Sequence, residues 1–353
     1  LSNFKVLEKQ TTYLRGNAML PGKVTTFEAI DSRSWEHPAD RAALAALKSI
    51  PGFDEFIKKI LGIISDRKLE LMFLANSIRV SETQYSKLWT IMNRLCTTFD
   101  WPVQPTVFVT QSPFLNGGTL GVDKPMIVIN SSVLHMLDDD ELTCLLAHEL
   151  GHIMSGHAAY KTLLYLLLNI TFNLLPVSQM LIVPIILALR EWDRKSELSA
   201  DRVEVLALQN PEPSYELLIK LAGGTKPGEV NINEFFKQAQ EYEAASGLID
   251  QVHKFTNLLD ATHPFAVMRL KELHEWVQGG SYQSIIDGVY LRRGIHKADT
   301  GEELKGGFDF YKEETQKASP IIESAIEEIG DKLINVTVEI GNVLGSIFNP
   351  EKK

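Results

Sequence analysis

Residues 162–189 carry no charged side chain, and no other feature restricts the fold of this chain as much. By length alone the stretch is a candidate to cross a membrane. Its flanks argue otherwise. Upstream stands His148-Glu149-Leu150-Gly151-His152, and downstream stand Glu197 and Asp201. If side chains from both flanks bind one metal ion, both ends of the stretch lie on the same side of any bilayer. A single crossing is then excluded. Two crossings would leave each leg about 14 residues, or about 21 Å of helix, against a hydrocarbon core of about 30 Å. Pro176, Pro184, Asn169, Asn173 and Gln179 also interrupt the run. The expectation is a hairpin, packed in the protein or dipping into a membrane surface.

The case for a shared ion rests on helical spacing. Residues i and i+4 share a helix face, so His148 and His152 present two imidazoles to one point. Asp138, followed three residues later by Glu141, has the spacing of a capping box, and the apolar run from Leu142 to Leu150 makes this a helix built for burial. Two neutral imidazoles suit zinc, and a catalytic zinc needs a third protein ligand and a water. Glu149, beside the first imidazole, is placed to act as general base on a water whose pKa the metal lowers.

The third ligand is expected downstream. His157 stands five residues after His152 and Gly156 four after it, out of register with metzincins, which place a Gly three and a His six residues after the second His. That leaves His157 as a supporting or a surface residue. Glu197 and Asp201 share one helix face, so Glu197 is the better ligand and Asp201 the group that accepts the free N–H of a ligating imidazole. Cys144 lies one turn before His148; it reads as a buried thiol, with a ligand role as the less favoured alternative. With Cys96 it is one of only two cysteines, too few for a disulfide scaffold.

The rest of the chain reads as α+β and predominantly helical. Residues 1–100 form a mostly helical N-terminal region, with apolar periodicity over 53–64 and a further helix over 82–99. Pro105–Thr110 and Pro125–Asn130 are the clear strands, with Asn116-Gly117-Gly118 in a loop or edge strand between them. A catalytic core over 101–278, containing the 162–189 hairpin, precedes a connector and a C-terminal amphipathic helix over 279–353. In that tail Ile322, Ile326, Ile329, Leu333, Val336, Ile340, Val343 and Ile347 form a heptad seam, which leaves open a homo-oligomer through this helix. The net charge of −10, with no clustered basic face, argues against nucleic acid as a partner. Residues 1–30 show no basic segment followed by an apolar one, so no signal peptide is visible. The expected location is cytoplasmic or peripheral to a membrane.

Three pieces together resemble the zinc metallopeptidase family that contains the HtpX and CAAX prenyl proteases, within the gluzincins. They are His-Glu-Leu-Gly-His at 148–152, Glu197-Leu-Ser-Ala-Asp201, and Thr262-His263-Pro264 followed by Arg269. The likeness covers roughly residues 35–275. It implies a zincin-like domain with a small sheet and an active-site helix, one Zn2+ held by His148, His152 and Glu197, and a protein or peptide substrate. It also implies that His263 and Arg269 contact the substrate carbonyl and its tetrahedral intermediate, and that Asn116 pairs with the substrate backbone. The family carries Asn-Ala where this chain has Asn116-Gly117. The reading is a zinc metalloendopeptidase with Glu149 as general base. The alternatives are a catalytically silent scaffold or chaperone-like relative, and a peptidase whose own tail helix or hairpin blocks its cleft. A membrane-surface contact through 162–189 fits any of them.

Overall fold

The computed structural model describes residues 24–48, 53–62, 65–169, 179–223, 229–244 and 266–294. The tail heptads and His263 therefore lie outside the described residues, as do residues 170–178 of the uncharged stretch.

The described chain opens with a short 3-10 turn at Ser32–Ser34 and three helices, α1 (Pro38–Lys48), α2 (Phe53–Leu61) and α3 (Asp66–Asn76). A two-residue strand, β1 (Ile78–Arg79), and helix α4 (Ser86–Thr98) lead to the strands β2 (Thr106–Thr110), β3 (Gly117–Leu120) and β4 (Met126–Asn130). The sheet order is β1-β2-β4-β3. The pair β2–β4 is parallel, while β1–β2 and β3–β4 are antiparallel. The two strong strand signals thus lie at the centre of the sheet, where Val107, Val109, Ile127 and Ile129 are buried. Strand β3 takes an edge, as its weak Gly-Gly-Thr-Leu sequence suggests.

After a one-turn helix α5 (Val133–Met136) comes α6 (Asp139–Met154), which carries the His-Glu-Leu-Gly-His segment. Its capping box forms as read: the Asp138 carboxylate accepts the N–H groups of Asp140 and Glu141 at 3.0 and 2.9 Å, and Glu141 accepts the Asp138 N–H at 2.9 Å. The acidic first turn suits the positive end of the helix dipole. From Glu141 to Met154 every side of α6 is buried, because the sheet, α4 and the long helix α8 surround it.

Helices α7 (Ala158–Asn169) and α8 (Gln179–Leu208) follow. The second half of the uncharged stretch and the charged segment after it are one continuous helix. Leu163, Leu164, Leu166, Leu167, Ile185, Ile186, Leu189 and Trp192 form one apolar cluster with Leu47, Phe53, Phe56 and Ile60 of α1 and α2. These residues of the uncharged stretch thus have a protein partner for their apolar surface. Among the described residues no helix is long and apolar enough to cross a membrane. Helices α9 (Glu212–Leu221), α10 (Ile232–Ala244), α11 (Ala266–Gln278) and α12 (Ser281–Ile286) complete the described chain.

The approach of α6 to α8 positions the site. At Gly151 a Cβ would lie 2.9 Å from Val203 Cγ2 and 3.1 Å from its Cβ. Gly151 lets the two helices close on each other, so that Glu197 and Asp201 on α8 reach the imidazoles on α6.

Candidate metal centre

His148 and His152 project one turn apart from α6, their rings 4.8 Å between centroids and nearly perpendicular. The Nε2 of each meets a different oxygen of Glu197: His148 Nε2 lies 3.2 Å from Oε2, and His152 Nε2 lies 3.2 Å from Oε1. One ligand atom from each of the three residues falls within 4.8 Å of the other two, and all three residues are buried. Among the described residues His152 Nε2 is a buried polar atom with no hydrogen-bond partner in spite of its contact with Glu197. An orphaned imidazole lone pair facing a carboxylate is costly unless something binds it. Two imidazoles and a carboxylate at this spacing fit a divalent metal of the zinc type.

The two imidazoles are held from behind in different ways. His148 Nδ1 lies 2.9 Å from Glu204 Oε1 and 3.2 Å from Asp201 Oδ1. A proton on Nδ1 donated to these carboxylates leaves Nε2 free for a metal. Asp201 in turn accepts a two-pronged bond from Arg269 of α11, whose Nε lies 2.9 Å from Oδ2 and whose Nη2 meets Oδ1. Burial alone would raise the Asp201 carboxyl, but the guanidinium outweighs it and holds the group below the usual carboxylate range. Burial pushes Glu204 up, to about 7, and its Oε2 has no hydrogen-bond partner.

His152 Nδ1 is backed instead by His157 Nδ1 at 3.0 Å, and His157 Nε2 lies 3.1 Å from Asp40 Oδ2 of α1. Local backbone brings this about. α6 ends at Met154, Gly156 takes φ +71°, and the His157 N–H bonds back to the His152 carbonyl at 2.9 Å. A residue out of register for coordination thus lands behind His152.

Glu149 is buried against the sheet edge. Thr119 Oγ1 of β3 lies 2.7 Å from Glu149 Oε2 and 3.0 Å from the Glu149 carbonyl, so its one proton serves either acceptor. A Cβ at Gly117 would come within 2.9 Å of Glu149 Oε1. Burial is the main cause that raises the Glu149 carboxyl above its ordinary value, partly offset by the His148 and Lys161 charges and the Thr119 bond. A carboxyl raised in this way takes up a proton more readily than an ordinary one.

Of the residues singled out in the sequence, His148, Glu149, His152, Glu197, Asp201 and Arg269 come together. Arg269 lies against the two carboxylates, its Nη1 3.3 Å from Glu197 Oε2. Asn116 stands at the exposed head of β3, where its Oδ1 accepts the Gly117 N–H at 2.9 Å. His263 is outside the described residues. Cys96 and Cys144 are free and buried; Cys144 Sγ contacts Ser214 Oγ at 3.4 Å, and burial raises its thiol well above the ordinary range.

Sequence reasoning missed Lys161, Glu204, Thr119 and Asp40. Lys161 of α7 places Nζ 2.7 Å from Asp193 Oδ1 and 2.9 Å from Glu197 Oε1. Burial would lower its pKa, but Asp193 and Glu197 outweigh that and hold it charged. Glu204 was within reach of the argument, since it extends the helical face of Glu197 and Asp201. Lys161, Thr119 and Asp40 carried no signal. Among the described residues around the centre, Glu149, Asp193, Glu197, Asp201 and Glu204 outnumber Lys161 and Arg269, a balance that favours a cation.

Fold and site together define a metal-dependent hydrolase built on a helix that carries two imidazoles and a buried carboxylate. The sequence profile of peptidase family M48 matches residues 82–277, and the chain belongs to that family. Among the similar proteins is the plastoglobule-localized metallopeptidase 48, chloroplastic, of Arabidopsis thaliana, 31% identical over 276 residues, which cover 77% of this chain and 80% of the relative. The protease HtpX homolog 2 of Methanosarcina mazei is 24% identical over 56% of this chain and 75% of its own length. A protease HtpX homolog of Tropheryma whipplei is 26% identical over 27% of this chain and 33% of its own length. No solved structure matches the chain. The HtpX-type resemblance is thus borne out, and the chain is a metal-dependent protease.

Proposed function

We propose that the protein is a zinc-dependent endopeptidase in which Glu149 is the general base. The observation that carries the reading is the convergence of His148 Nε2 and His152 Nε2 on the two oxygens of Glu197, with Glu149 on the same helix beneath strand β3. A zinc ion held by His148, His152 and Glu197 supplies a Lewis acid for the scissile carbonyl and lowers the pKa of the attacking water.

The remaining steps belong to the chain. Glu149 takes a proton from the attacking water and returns it to the leaving amine, in keeping with its raised carboxyl. Thr119 holds the carboxylate in place. Among the described residues strand β3 pairs with β4 along one side only, so an extended substrate backbone can add to its other edge near Asn116. His263 is assigned to the substrate carbonyl by family resemblance. Arg269, with its fork on Asp201 and Nη1 near Glu197, keeps the ligand carboxylate oriented and supplies positive charge beside the developing oxyanion. A complete donor set argues against a silent scaffold.

The test is metal analysis of the purified full chain together with cleavage of an unfolded protein, comparing the parent with Glu149→Gln. The parent is expected to hold about one zinc and to cleave. Glu149→Gln is expected to keep the zinc and to lose roughly 10²–10⁴-fold in rate. Cleavage retained in that variant sinks the general-base assignment, and a parent free of zinc but active sinks the metal assignment.

For location we propose peripheral contact with a lipid surface. The relative in Arabidopsis is plastoglobule-localized by name, and Leu168 and Leu187 stay exposed on the two apolar helices. Release from membranes by high salt or alkaline carbonate without detergent is the expected result; a need for detergent overturns it.

A further inference from the structure

Asp40 lies on α1, outside the segment matched to the family, yet its carboxylate is buried behind the metal centre. Three groups meet it. Ser199 Oγ donates at 2.6 Å, Trp192 Nε1 donates at 3.0 Å, and His157 Nε2 stands at 3.1 Å. The Trp192 ring also packs edge-on against the His157 ring, at 5.5 Å between centroids. The imidazole of His157 is thus held on both sides.

The hydrogen bonds can be followed from one end to the other. A carboxylate only accepts, so His157 Nε2 carries the proton that faces Asp40. In a neutral His157 the lone pair then lies on Nδ1, which faces His152 Nδ1 at 3.0 Å. Two ring nitrogens at that distance need one proton between them, and only His152 has it to give. With its proton on Nδ1, His152 has its lone pair on Nε2, the buried atom with no hydrogen-bond partner beside Glu197. The chain of bonds ends in the one tautomer of His152 that can bind a metal through Nε2.

We propose that Asp40 and His157 are positioning residues of the metal centre, and that α1 is a working part of it: Asp40, acting through His157, fixes the tautomer and orientation of the ligand His152. The relay gives His152 the support that Asp201 and Glu204 give His148 directly. The proposal rests on the zinc reading above. It places residues before the matched segment inside the catalytic unit.

The experiment measures zinc affinity of the full chain by competition with a chromophoric chelator, and the visible spectrum of the Co2+-substituted protein. The parent is compared with His157→Leu, Asp40→Asn, His157→Asn and Ser199→Ala. Loss of an imidazole's outer partner typically weakens metal binding by about 10–100-fold. His157→Leu is expected to lose affinity in that range and to shift the cobalt bands. Asp40→Asn is expected to lose less, since an amide still accepts a hydrogen bond. His157→Asn, whose Oδ1 replaces the Nδ1 acceptor, is expected to recover most of the loss. Ser199→Ala removes one of the bonds that seat Asp40 without touching His157, and a smaller loss than in His157→Leu is expected.

His157→Leu with parental affinity and an unchanged cobalt spectrum overturns the relay. So does a variant whose metal-free melting temperature falls while its zinc affinity holds, because His157 is then structural only. If His157→Leu fails to fold, Asp40→Asn and His157→Asn carry the same comparison, and parental affinity in Asp40→Asn together with undiminished cobalt bands in both rejects the proposal. A parent that binds no zinc rejects the metal reading itself, a failure distinct from that of the relay.

Discussion

At the scale of single residues, the centre depends on which atoms are left without partners. His152 Nε2 is orphaned because Nδ1 is occupied by His157, and Glu149 is raised because burial outweighs the nearby positive charges. The Thr119 hydroxyl opposes that rise by donating to the carboxylate at 2.7 Å. In Thr119→Val the opposition is gone, so the Glu149 carboxyl moves further up. The base acts only when deprotonated, so the acid limb of the kcat/KM profile moves to higher pH. A hydrogen bond to a charged group contributes about 1.5–3 kcal/mol, so the expected displacement is about one pH unit or somewhat more. Zinc content stays at the parental level. An unmoved acid limb in Thr119→Val, measured from pH 5 to 9, means that Thr119 does not tune Glu149.

At the scale of elements, the contact between α6 and α8 sets the ligand geometry. Gly151 allows it, since a methyl group there meets the Val203 side chain at 2.9–3.1 Å. Overfilling a packed contact of this kind costs about 1–3 kcal/mol. Gly151→Ala is therefore expected to lower the stability of the metal-free protein by that amount and to weaken zinc binding, because α8 moves away with Glu197. Val203→Ala restores the space, so the double variant is expected to recover much of both losses. Additive losses in the double-mutant cycle, read by chemical denaturation and chelator competition, would show that the two side chains do not meet.

At the scale of the whole molecule, the proposed metal centre draws on elements that are distant in sequence. His148 and His152 lie before the uncharged stretch and Glu197 after it, while Asp40 and Arg269 reach the same centre from either end of the described chain. Residues 27–31 and 289–293 also meet, with backbone bonds from Asp31 N–H to the Leu291 carbonyl at 2.8 Å and from Arg293 N–H to the Ala29 carbonyl at 2.7 Å. A ligand bound only by the folded state stabilises it by about 4 kcal/mol when present at a thousand times its dissociation constant. Removal of zinc by a chelator is therefore expected to lower Tm by several degrees and to abolish cleavage, with both restored by added Zn2+. An unchanged Tm after demonstrated zinc removal argues that the metal does not brace the fold.

The amino-acid sequence alone determined the features that depend on local spacing. Helix α6 and its capping box, the pair His148 and His152 on one face, Glu197 and Asp201 one turn apart, and the two central strands were all legible, because helical and strand periods place side chains without reference to the rest of the chain. The uncharged stretch was legible as a segment obliged to return to its starting side. Tertiary structure decided what depends on approach between segments far apart in sequence. It seated the apolar helices α7 and α8 on α1 and α2, a match of surfaces that no local pattern encodes. It brought Asp40, Lys161 and Thr119 to the centre, each on an element whose own period says nothing of the ion. Strand β1 was too short to show a period at all, and His157, one residue out of register for coordination, gained its place behind His152 only when the chain turned at Gly156.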